Sequence, residues 1–220
     1  MASGHTLIFI GGDPPHPNVR TYLPADAYVI AADSGYAHAI AMGFVPNELV
    51  GDMDSIAAID LADAHDSNVV ITQFPTDKDL TDTEIAIASA LARHSTHITV
   101  VSGGGDRFDH VLGMVHSLAS CAATVETNLL IGTARVSYAK YTRQFQLVTR
   151  PGNIVSLLPI GGDATVTTTG LQWELNNDTL QSFASRGVSN IATSESVSIS
   201  VTDGLLAVIE PFFLNPGDIS

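Results

Sequence analysis

In the N-terminal part of the chain, short apolar runs alternate with segments whose apolar residues recur at helical spacing. The runs predict strands at 5–10, 27–32, 49–50, 69–74 and 98–101. Helices are predicted at 34–42, from Thr81 onward, and at 108–119. Thr81 and Glu84 form a capping box at the start of the second helix. Strands that alternate with helices in this way are typical of a parallel sheet covered on both faces.

The pattern changes after about residue 126, where β-rich runs separated by turn signals replace the helical spacing. These runs lie at 135–140, 144–148, 154–159, 165–169, 197–201 and 205–209. A weak helical pattern at 179–184 is the exception. Such runs are typical of an antiparallel sandwich or barrel. We therefore predict an N-terminal α/β domain, Rossmann-like with a parallel sheet, over 1–135, followed by a C-terminal antiparallel β-sandwich over 136–220.

Composition excludes several classes of protein. Hydrophobic residues make up 45% of the chain and charged residues 15%, which excludes a disordered protein. The net charge of −14 argues against binding to nucleic acid or to an anionic membrane surface, because both require a basic face. No apolar run reaches the ~20 residues of a membrane span. The single Cys121 fits a reducing compartment, so we expect a cytoplasmic protein.

Acidic clusters follow several of the predicted strands. They are Asp33, the segment 51–55 with Asp52 and Asp54, the segment 77–82, and the segment 103–110 with Asp109. Because ligands of an open parallel sheet bind at the carboxyl ends of the strands, we expect these loops to converge on one crevice. Carboxylates beside glycine-rich turns and an arginine are what the chemistry of magnesium and phosphate requires.

Each acidic residue also has an alternative interpretation. In an extended segment, Asp52 and Asp54 project to the same side and repel each other unless a cation is near, but a solvated acidic turn has the same sequence. Asp82 lies in the first turn of a predicted helix and complements its dipole, a role compatible with metal binding. Lys78 is one of two lysines and is placed to neutralise a phosphate, with simple surface exposure as the alternative.

The glycine run before Arg107 suits a polyphosphate. Gly103, Gly104 and Gly105 would let the backbone approach an anion closely, although many strand-to-helix turns contain glycine. Arg107 supplies a bidentate donor for phosphate oxygens. His110 is interpreted as a packed helix residue without a catalytic role.

In the second domain, the residues alone favour structural roles. Trp173 is the only tryptophan, and its residue type alone favours a core or edge aromatic. The pair Ser189-Asn190 is interpreted as a turn.

Taken in order along the chain, six segments together resemble the thiamine pyrophosphokinase family, in particular its bacterial members. In the first domain they are Ala32-Asp33-Ser34-Gly35, Gly51 to Ser55, Asp77 to Glu84, and Gly105 to His110. In the second domain they are Gly170 to Leu175, which contains Trp173, and the pair Ser189-Asn190. The sequence departs from the family pattern at Ser34, Ala37 and Asp106.

The resemblance implies an Mg²⁺-dependent enzyme that uses ATP as co-substrate. It assigns Asp54 and Asp82 to the magnesium ion, supported by Asp52 and Asp79. It also implies that Arg107 and Asp109 face the phosphates and the reacting centre. The other ligand-binding positions expected in the first domain are Asp33, Ser34, Gly35, Lys78, Thr81, Gly104 and Gly105.

For the second domain, the resemblance reverses the interpretation drawn from the residues. Trp173 becomes an aromatic surface for thiamine, with Ser189 and Asn190 as polar contacts. A homodimer is implied, in which the β-sandwich halves help to build the thiamine sites. An aromatic face also suits the cationic thiazolium ring.

The expected reaction moves the terminal pyrophosphoryl group of ATP to the hydroxyl of thiamine and releases AMP. Either Asp52 or Asp109 orients or accepts the hydroxyl proton, and the sequence does not choose between them. Another nucleotide-dependent transferase with an Asp-x-Asp metal site is an alternative that explains Asp52 and Asp54 but not Trp173. A sensor of thiamine or nucleotide that keeps the fold without turnover is the second alternative.

Overall fold

The computed structural model describes residues 4–105, 107–141 and 144–214. These residues divide into two compact units, one made of 4–118 with 124–132 and the other of 119–123 with 133–214. None of the helices in the described ranges is long and apolar enough to cross a membrane. In this division, the segment 119–123 belongs to the second unit although it lies between two parts of the first along the sequence.

The first unit contains a sheet of parallel strands. They are β1 (His5–Phe9), β2 (Tyr28–Ala32), β3 (Glu48–Gly51), β4 (Val70–Gln73), β5 (His97–Ser102) and β6 (Glu126–Ile131). Their order is β6-β5-β1-β2-β3-β4, and every neighbouring pair is parallel. The consecutive residues Val29 to Ala32 of β2 are all buried, so both faces of the sheet are covered there. The predicted parallel sheet is confirmed.

Helices connect these strands. They are a 3₁₀ helix (Pro17–Tyr22), α1 (Gly35–Ala41), α2 (Ala58–Asp66), α3 (Asp82–Ala92) and α4 (Phe108–Cys121). Helix α1 packs against β1 and β2, and α3 packs against β1, β2 and β3. The predicted capping box is present: the Glu84 N–H donates to Thr81 Oγ1 at 3.2 Å, and the Thr81 N–H donates to Glu84 Oε2 at 3.0 Å. These two bonds fix the start of α3 at Asp82.

The direction in which the chain adds strands to the sheet reverses at β1, which pairs with β2 on one side and with β5 on the other. From β1 the chain proceeds outward through β2, β3 and β4, and it then crosses back to β5 and β6. Gly11-Gly12 follows β1 and Gly103 to Gly105 follows β5. Two glycine turns therefore flank the point at which ligands of such sheets bind.

The second unit consists of two antiparallel sets of strands. They are β7 (Ala134–Lys140), β8 (Phe145–Val148), β9 (Ile154–Pro159), β10 (Ala164–Thr169), β11 (Asp178–Leu180), β12 (Asn190–Ile191), β13 (Ser196–Asp203) and β14 (Leu205–Glu210). One set has the order β12-β9-β14-β7 and the other β11-β10-β13-β8. Buried residues of both sets, including Leu157, Val166, Ile199 and Leu206, share one hydrophobic core. The predicted antiparallel sandwich is confirmed.

Some of the predicted elements differ from those observed. The weak helix predicted at 179–184 is wrong, because β11 occupies its first residues and buries Leu180 against the sandwich core. A turn leads into this strand, with Asn177 at a φ of 54° and the Asn176 N–H bound to Asp178 Oδ2 at 2.9 Å. Helix α2, strand β6 and the 3₁₀ helix were not predicted.

Candidate active site

Three aspartates meet at the carboxyl edge of the parallel sheet. Asp33 directly follows β2, Asp52 directly follows β3, and Asp82 is the first residue of α3. One carboxylate oxygen from each lies within 4.8 Å of the others, and among the described residues this is the one such group of potential metal ligands. Loops that are distant in sequence thus converge, as the position of each after a strand predicts.

Asp33 is the most deeply buried of the three, with 6% of its surface exposed. Its Oδ2 accepts hydrogen bonds from the Ser55 hydroxyl at 2.7 Å and from the Ser55 N–H at 3.3 Å. Its Oδ1 is buried and has no hydrogen-bond partner in the described structure. An unsatisfied carboxylate oxygen in a protein interior is unfavourable unless a cation approaches it.

Asp82 also has a carboxylate oxygen that accepts no hydrogen bond. Its Oδ1 is also buried without a hydrogen bond, although Lys78 Nζ forms an ion pair with it at 3.2 Å. The short distance without a hydrogen bond means that the ammonium group is poorly aligned with this oxygen. Burial raises the pKa of Asp82, and the Asp52 and Asp33 carboxylates raise it further, while Lys78 lowers it. Asp82 is therefore a carboxylate whose charge needs a second partner.

Asp52 is paired more completely. Lys78 Nζ donates to its Oδ2 at 3.0 Å, and this hydrogen bond is the main reason why the pKa of Asp52 is lowered. The side chains of Lys78 and Asp52 are only 14% and 9% exposed. The ammonium group of Lys78 thus lies among the carboxylates and not on an open surface.

The expectation that Asp52 and Asp54 lie on an extended segment is wrong. Met53 has a φ of 64°, and the chain bends there because the Asp54 N–H donates to Asp52 Oδ1 at 3.2 Å. The hydrogen bond and like charge of Asp52 raise the pKa of the Asp54 carboxyl. Asp54 is exposed, adjacent to the three buried or half-buried aspartates but outside their group.

Asp79 is exposed in a bend and is likewise outside the three-aspartate group. Thr81 uses its hydroxyl and its N–H in the capping box. The structure therefore brings Asp33, Asp52, Asp82 and Lys78 together, and it leaves Asp79 apart from them.

A cleft of about 290 Å³ opens beside the three aspartates. Its lining includes the glycine turns after β1 and β5, the polar residues Ser34, Ser55 and Arg107, and the apolar side chains of Ile10, Val111 and Met114. Asp33 and Asp82 also line it, so these two carboxylates face the same space as the glycine turns.

Two of the predicted glycine positions disfavour a larger residue, Gly35 because of a close contact and Gly104 because of its backbone conformation. A Cβ on Gly35 would lie 2.2 Å from the Phe9 carbonyl oxygen, so α1 can start this close to β1 only with glycine. Gly104 has a φ of 93°, and its N–H donates to Ser102 Oγ at 3.0 Å. This second turn exposes backbone to the cleft in a conformation that side chains disfavour.

Arg107 and Asp109 bind each other at the start of α4. Arg107 Nε lies 2.9 Å from Asp109 Oδ1, and Arg107 Nη2 lies 2.7 Å from Asp109 Oδ2. This bidentate pair holds the pKa of Asp109 well below its usual range. Both side chains are about two-thirds exposed, at 67% and 65%. Asp106, which precedes them, lies outside the described residues.

In the second unit, Trp173 is 57% exposed, so it is not a core aromatic. The buried amide of Asn190 holds its backbone: Asn190 Oδ1 accepts from the Trp173 N–H at 3.1 Å, and Asn190 Nδ2 donates to the Trp173 carbonyl at 2.8 Å. Ser189 has a φ of 58°, and its N–H donates to Ser156 Oγ at 2.9 Å. Asn190 therefore positions the tryptophan through the main chain.

Sequence reasoning missed several residues that line the cleft, and one exposed aromatic residue of the second unit. His110 and Ser102 line the cleft, although His110 was interpreted as a packed residue. Ser55 was recognised as part of a segment, but its bond to Asp33 was not. Phe183, in the second unit, has a fully exposed side chain. Only Ser55 carried a usable signal, because it belongs to the first acidic segment.

Two family models match the chain. One, described as "Thiamin pyrophosphokinase, catalytic domain", matches residues 19–131, and the other, "Thiamin pyrophosphokinase, vitamin B1 binding domain", matches residues 142–206. The three-aspartate group falls within the first match and Trp173 within the second.

Individual relatives agree with these matches. Thiamine pyrophosphokinase of Bacillus subtilis (strain 168) is 24% identical over 217 residues, which are 93% of this chain and 97% of the relative. Thiamine pyrophosphokinase 1 of Arabidopsis thaliana is 28% identical over 184 residues, which are 79% and 68% of the two chains.

Solved structures have the same fold. The crystal structure of the Bacillus subtilis thiamine pyrophosphokinase superposes with a TM-score of 0.81 at 23% identity, covering 93% of this chain and 97% of that one. The structure of thiamin pyrophosphokinase from Candida albicans gives a TM-score of 0.78 at 14% identity, covering 94% and 89%. At these identities the likeness establishes the arrangement of the strands and helices, and the aspartates must be judged on their own geometry.

Proposed function

We propose a reaction and individual residue roles for this chain, which belongs to the thiamin pyrophosphokinase family. It is an enzyme that forms thiamine diphosphate, with ATP as the co-substrate of the family. The proposed reaction transfers the terminal pyrophosphoryl group of ATP to the hydroxyl of thiamine and releases AMP. The observation that carries this proposal is that Asp33 and Asp82 line a cleft with two glycine turns, where Asp33 Oδ1 is buried without a partner and the buried Asp82 Oδ1 contacts only Lys78 Nζ among the described groups.

The three aspartates fit a magnesium ion. Mg²⁺ prefers hard oxygen ligands, and Asp33 and Asp82 each present a buried oxygen that has no hydrogen bond. We propose that Asp33, Asp52 and Asp82 hold the ion, with the neighbouring Asp54 and the more distant Asp79 in supporting roles. When bound, Mg²⁺ neutralises charge on the phosphate oxygens and so favours attack by a nucleophile.

The glycine turns and Arg107 are proposed to hold the phosphates of ATP. Cleft volumes near 300 Å³ are at the small end of ligand sites, which suits part of a nucleotide better than the whole. The backbone at Gly105 can approach phosphate oxygens closely because no Cβ intervenes, whereas the Gly104 N–H is held by Ser102 Oγ at 3.0 Å. Arg107 suits the same oxygens as a bidentate donor, once it releases Asp109.

This release suggests which carboxylate accepts the proton. Asp52 belongs to the three-aspartate group, whereas Asp109 binds only Arg107 among the side chains that the structure describes. When Arg107 turns to a phosphate, Asp109 loses the partner that depresses its pKa and becomes a better base. The thiamine oxygen then attacks the β-phosphorus, its proton passes to Asp109, and the bond from that phosphorus to the AMP oxygen breaks.

Thiamine binding is proposed for the second unit. Trp173 is 57% exposed, and Asn190 holds its backbone through two hydrogen bonds. A thiazolium cation over an indole ring gains about 0.5–2 kcal/mol. Ser189 is a proposed polar contact, and the homodimer and the cytoplasmic location are proposals that follow from the family and from the single Cys121.

The test is AMP release from MgATP with and without thiamine, together with direct detection of thiamine diphosphate. We expect thiamine-dependent AMP in equal amount to the diphosphate. Asp82→Asn should lower kcat/KM at least about a hundredfold, since it removes a proposed metal ligand. Asp66→Asn changes the charge equally at an exposed position of α2 and serves as the control. Full activity of Asp54→Asn and Asp82→Asn proteins would exclude the proposed metal site.

A further inference from the structure

Lys78 lies where a cation would bind. Its Nζ is 3.0 Å from Asp52 Oδ2 and 3.2 Å from Asp82 Oδ1, two of the three carboxylates that can hold a metal. Asp33, the third, is 94% buried and keeps one oxygen without a hydrogen bond. The Lys78 ammonium thus neutralises part of the charge of the three aspartates and leaves Asp33 Oδ1 without a partner.

Lys78 and a divalent ion would share the carboxylates of Asp52 and Asp82 as partners. A magnesium ion would lie about 2.1 Å from its oxygen ligands. If the ion bound the same oxygen that Nζ contacts at 3.0 Å, Asp52 Oδ2, the two cations would be no more than about 5 Å apart, by addition of the two distances. Two positive charges at this distance, in a half-buried cluster, repel strongly. Metal binding at these oxygens therefore competes with the ammonium group.

The side chain of Lys78 can move away from the aspartates. Its ammonium group is a compact charge on a flexible four-carbon stem, unlike the rigid fork of an arginine. It precedes α3 by four residues, and its N–H is bound to the Thr76 carbonyl at 3.1 Å within an exposed loop. The described side chains that bind its Nζ are those of Asp52 and Asp82. Its destination must be another anion, and a substrate phosphate brings one.

We propose that Lys78 is a displaceable counter-ion, which keeps free divalent metal out of the three-aspartate group and moves to the phosphates when metal and nucleotide arrive together. This inference rests on the proposed metal site and deepens it. Without nucleotide, Lys78 competes with the metal. With nucleotide, it gains a new partner, so binding of metal and binding of nucleotide strengthen each other.

The experiment measures Mn²⁺ binding by electron paramagnetic resonance, with Mn²⁺ alone and with α,β-methylene-ATP, which resists cleavage at the reacting bond. Lys78→Met should bind free Mn²⁺ at least about tenfold more tightly than the unmodified protein, because the competing charge is gone. The same variant should bind the analogue more weakly, so that the coupling between metal and nucleotide falls by about tenfold or more. A purely structural role of Lys78 predicts weaker binding of both.

Two variants control for loss of charge and loss of fold. Lys140→Met removes the only other lysine, which binds backbone carbonyls of Ala122 and Ala123 in the second unit, and it should leave Mn²⁺ affinity within about twofold. Lys78→Arg keeps the charge and should keep the weak binding of free Mn²⁺. It tests the proposal even if Lys78→Met fails to fold.

The outcomes separate this inference from the proposed function. If the unmodified protein and Lys78→Met bind free Mn²⁺ equally, the counter-ion role is wrong and the metal site stands. If Lys78→Arg binds free Mn²⁺ much more tightly than the unmodified protein, the charge is not the competitor and the inference also fails. If no protein binds Mn²⁺ even with the analogue, the metal site itself is wrong. Thiamine-dependent AMP release from MgATP, measured separately on the same protein preparations, then shows independently whether the reaction occurs.

Discussion

Replacing Asp33 with asparagine should stabilise the metal-free protein and abolish its response to metal. Asp33 is 6% exposed, and an oxygen of its carboxylate lies within 4.8 Å of one from Asp82. The asparagine oxygen can still accept the Ser55 hydroxyl, as Asp33 Oδ2 does at 2.7 Å. The new amide group then replaces the unpartnered Oδ1 and points a donor at the remaining carboxylates. A repulsion is thereby exchanged for a hydrogen bond.

The size of this effect follows from the separation of the charges. Two unit charges 4.8 Å apart repel by about 3.5 kcal/mol at an effective dielectric constant of about 20. Solvent reaches the Asp82 side chain, which is 25% exposed, and Lys78 offsets part of its charge, so a smaller net gain is expected. We expect Asp33→Asn to raise the free energy of unfolding by about 1–2 kcal/mol in the absence of divalent metal.

The assay is urea unfolding in EDTA and in excess Mg²⁺. At a Mg²⁺ concentration high enough to displace Lys78 from Asp52 and Asp82, the unmodified protein should gain stability, because a ligand that binds only the folded state stabilises it. Asp33→Asn should be more stable than the unmodified protein in EDTA and should gain nothing from Mg²⁺. Asp66→Asn, at an exposed site, should change stability by less than about 0.5 kcal/mol under both conditions. A destabilised Asp33→Asn protein in EDTA would refute the reasoning, since it would mean that the carboxylate is well satisfied without metal.

Two further predictions concern the second unit and the opposite edge of the sheet. Trp173→Ala should raise the KM for thiamine about 3- to 30-fold with little change in the KM for ATP. Trp173→Phe should retain most of the affinity for thiamine. An equal rise in the KM of both substrates would contradict the assignment. The second prediction is that His5 makes the protein less stable as the pH drops below about 6.5. Burial, and then the charge of the neighbouring His97, lower the pKa of His5 in the folded protein, although Asp26 opposes this. As the pH falls, His5 is therefore protonated in the unfolded chain before it is protonated in the folded protein. Between pH 7.5 and pH 5.5 the urea midpoint should decrease less in His5→Gln than in the control variant His65→Gln.

The strands of the first unit were predictable because both faces of the sheet are covered. Continuous burial produces continuous apolar runs, as in Val29 to Ala32, and these are visible without an alignment. Helix α2 gave no such signal, since Ile59 is 78% exposed and Ala64 is its one fully buried residue. Strand β6 was missed because polar Thr127 and Asn128 interrupt its apolar residues. The two-residue strand β12 is too short for any periodicity to appear.

The site was predictable as a place but not as a set of contacts. Strand ends converge in any open parallel sheet, so the aspartates could be expected at one edge. Which of them share an ion depends on backbone details that the sequence does not reveal. The positive φ of Met53 turns Asp54 outward, and the positive φ of Asp33 turns its carboxylate into the group. Asp33 was therefore expected as a general ligand contact, whereas its geometry makes it part of the metal site proposed here.

The free protein holds three carboxylates near one ammonium group, so negative charge at this site exceeds positive charge. Asp33 is fixed there by the Ser55 hydroxyl and by its own N–H, which donates to the Val50 carbonyl at 2.9 Å. It cannot turn away from Asp82, so its repulsion is retained in the folded state. A divalent ion that arrives with a phosphate relieves this repulsion and gives Lys78 a partner at the same time. The two events favour each other, and the nucleotide that carries the metal should therefore bind more tightly than either component alone.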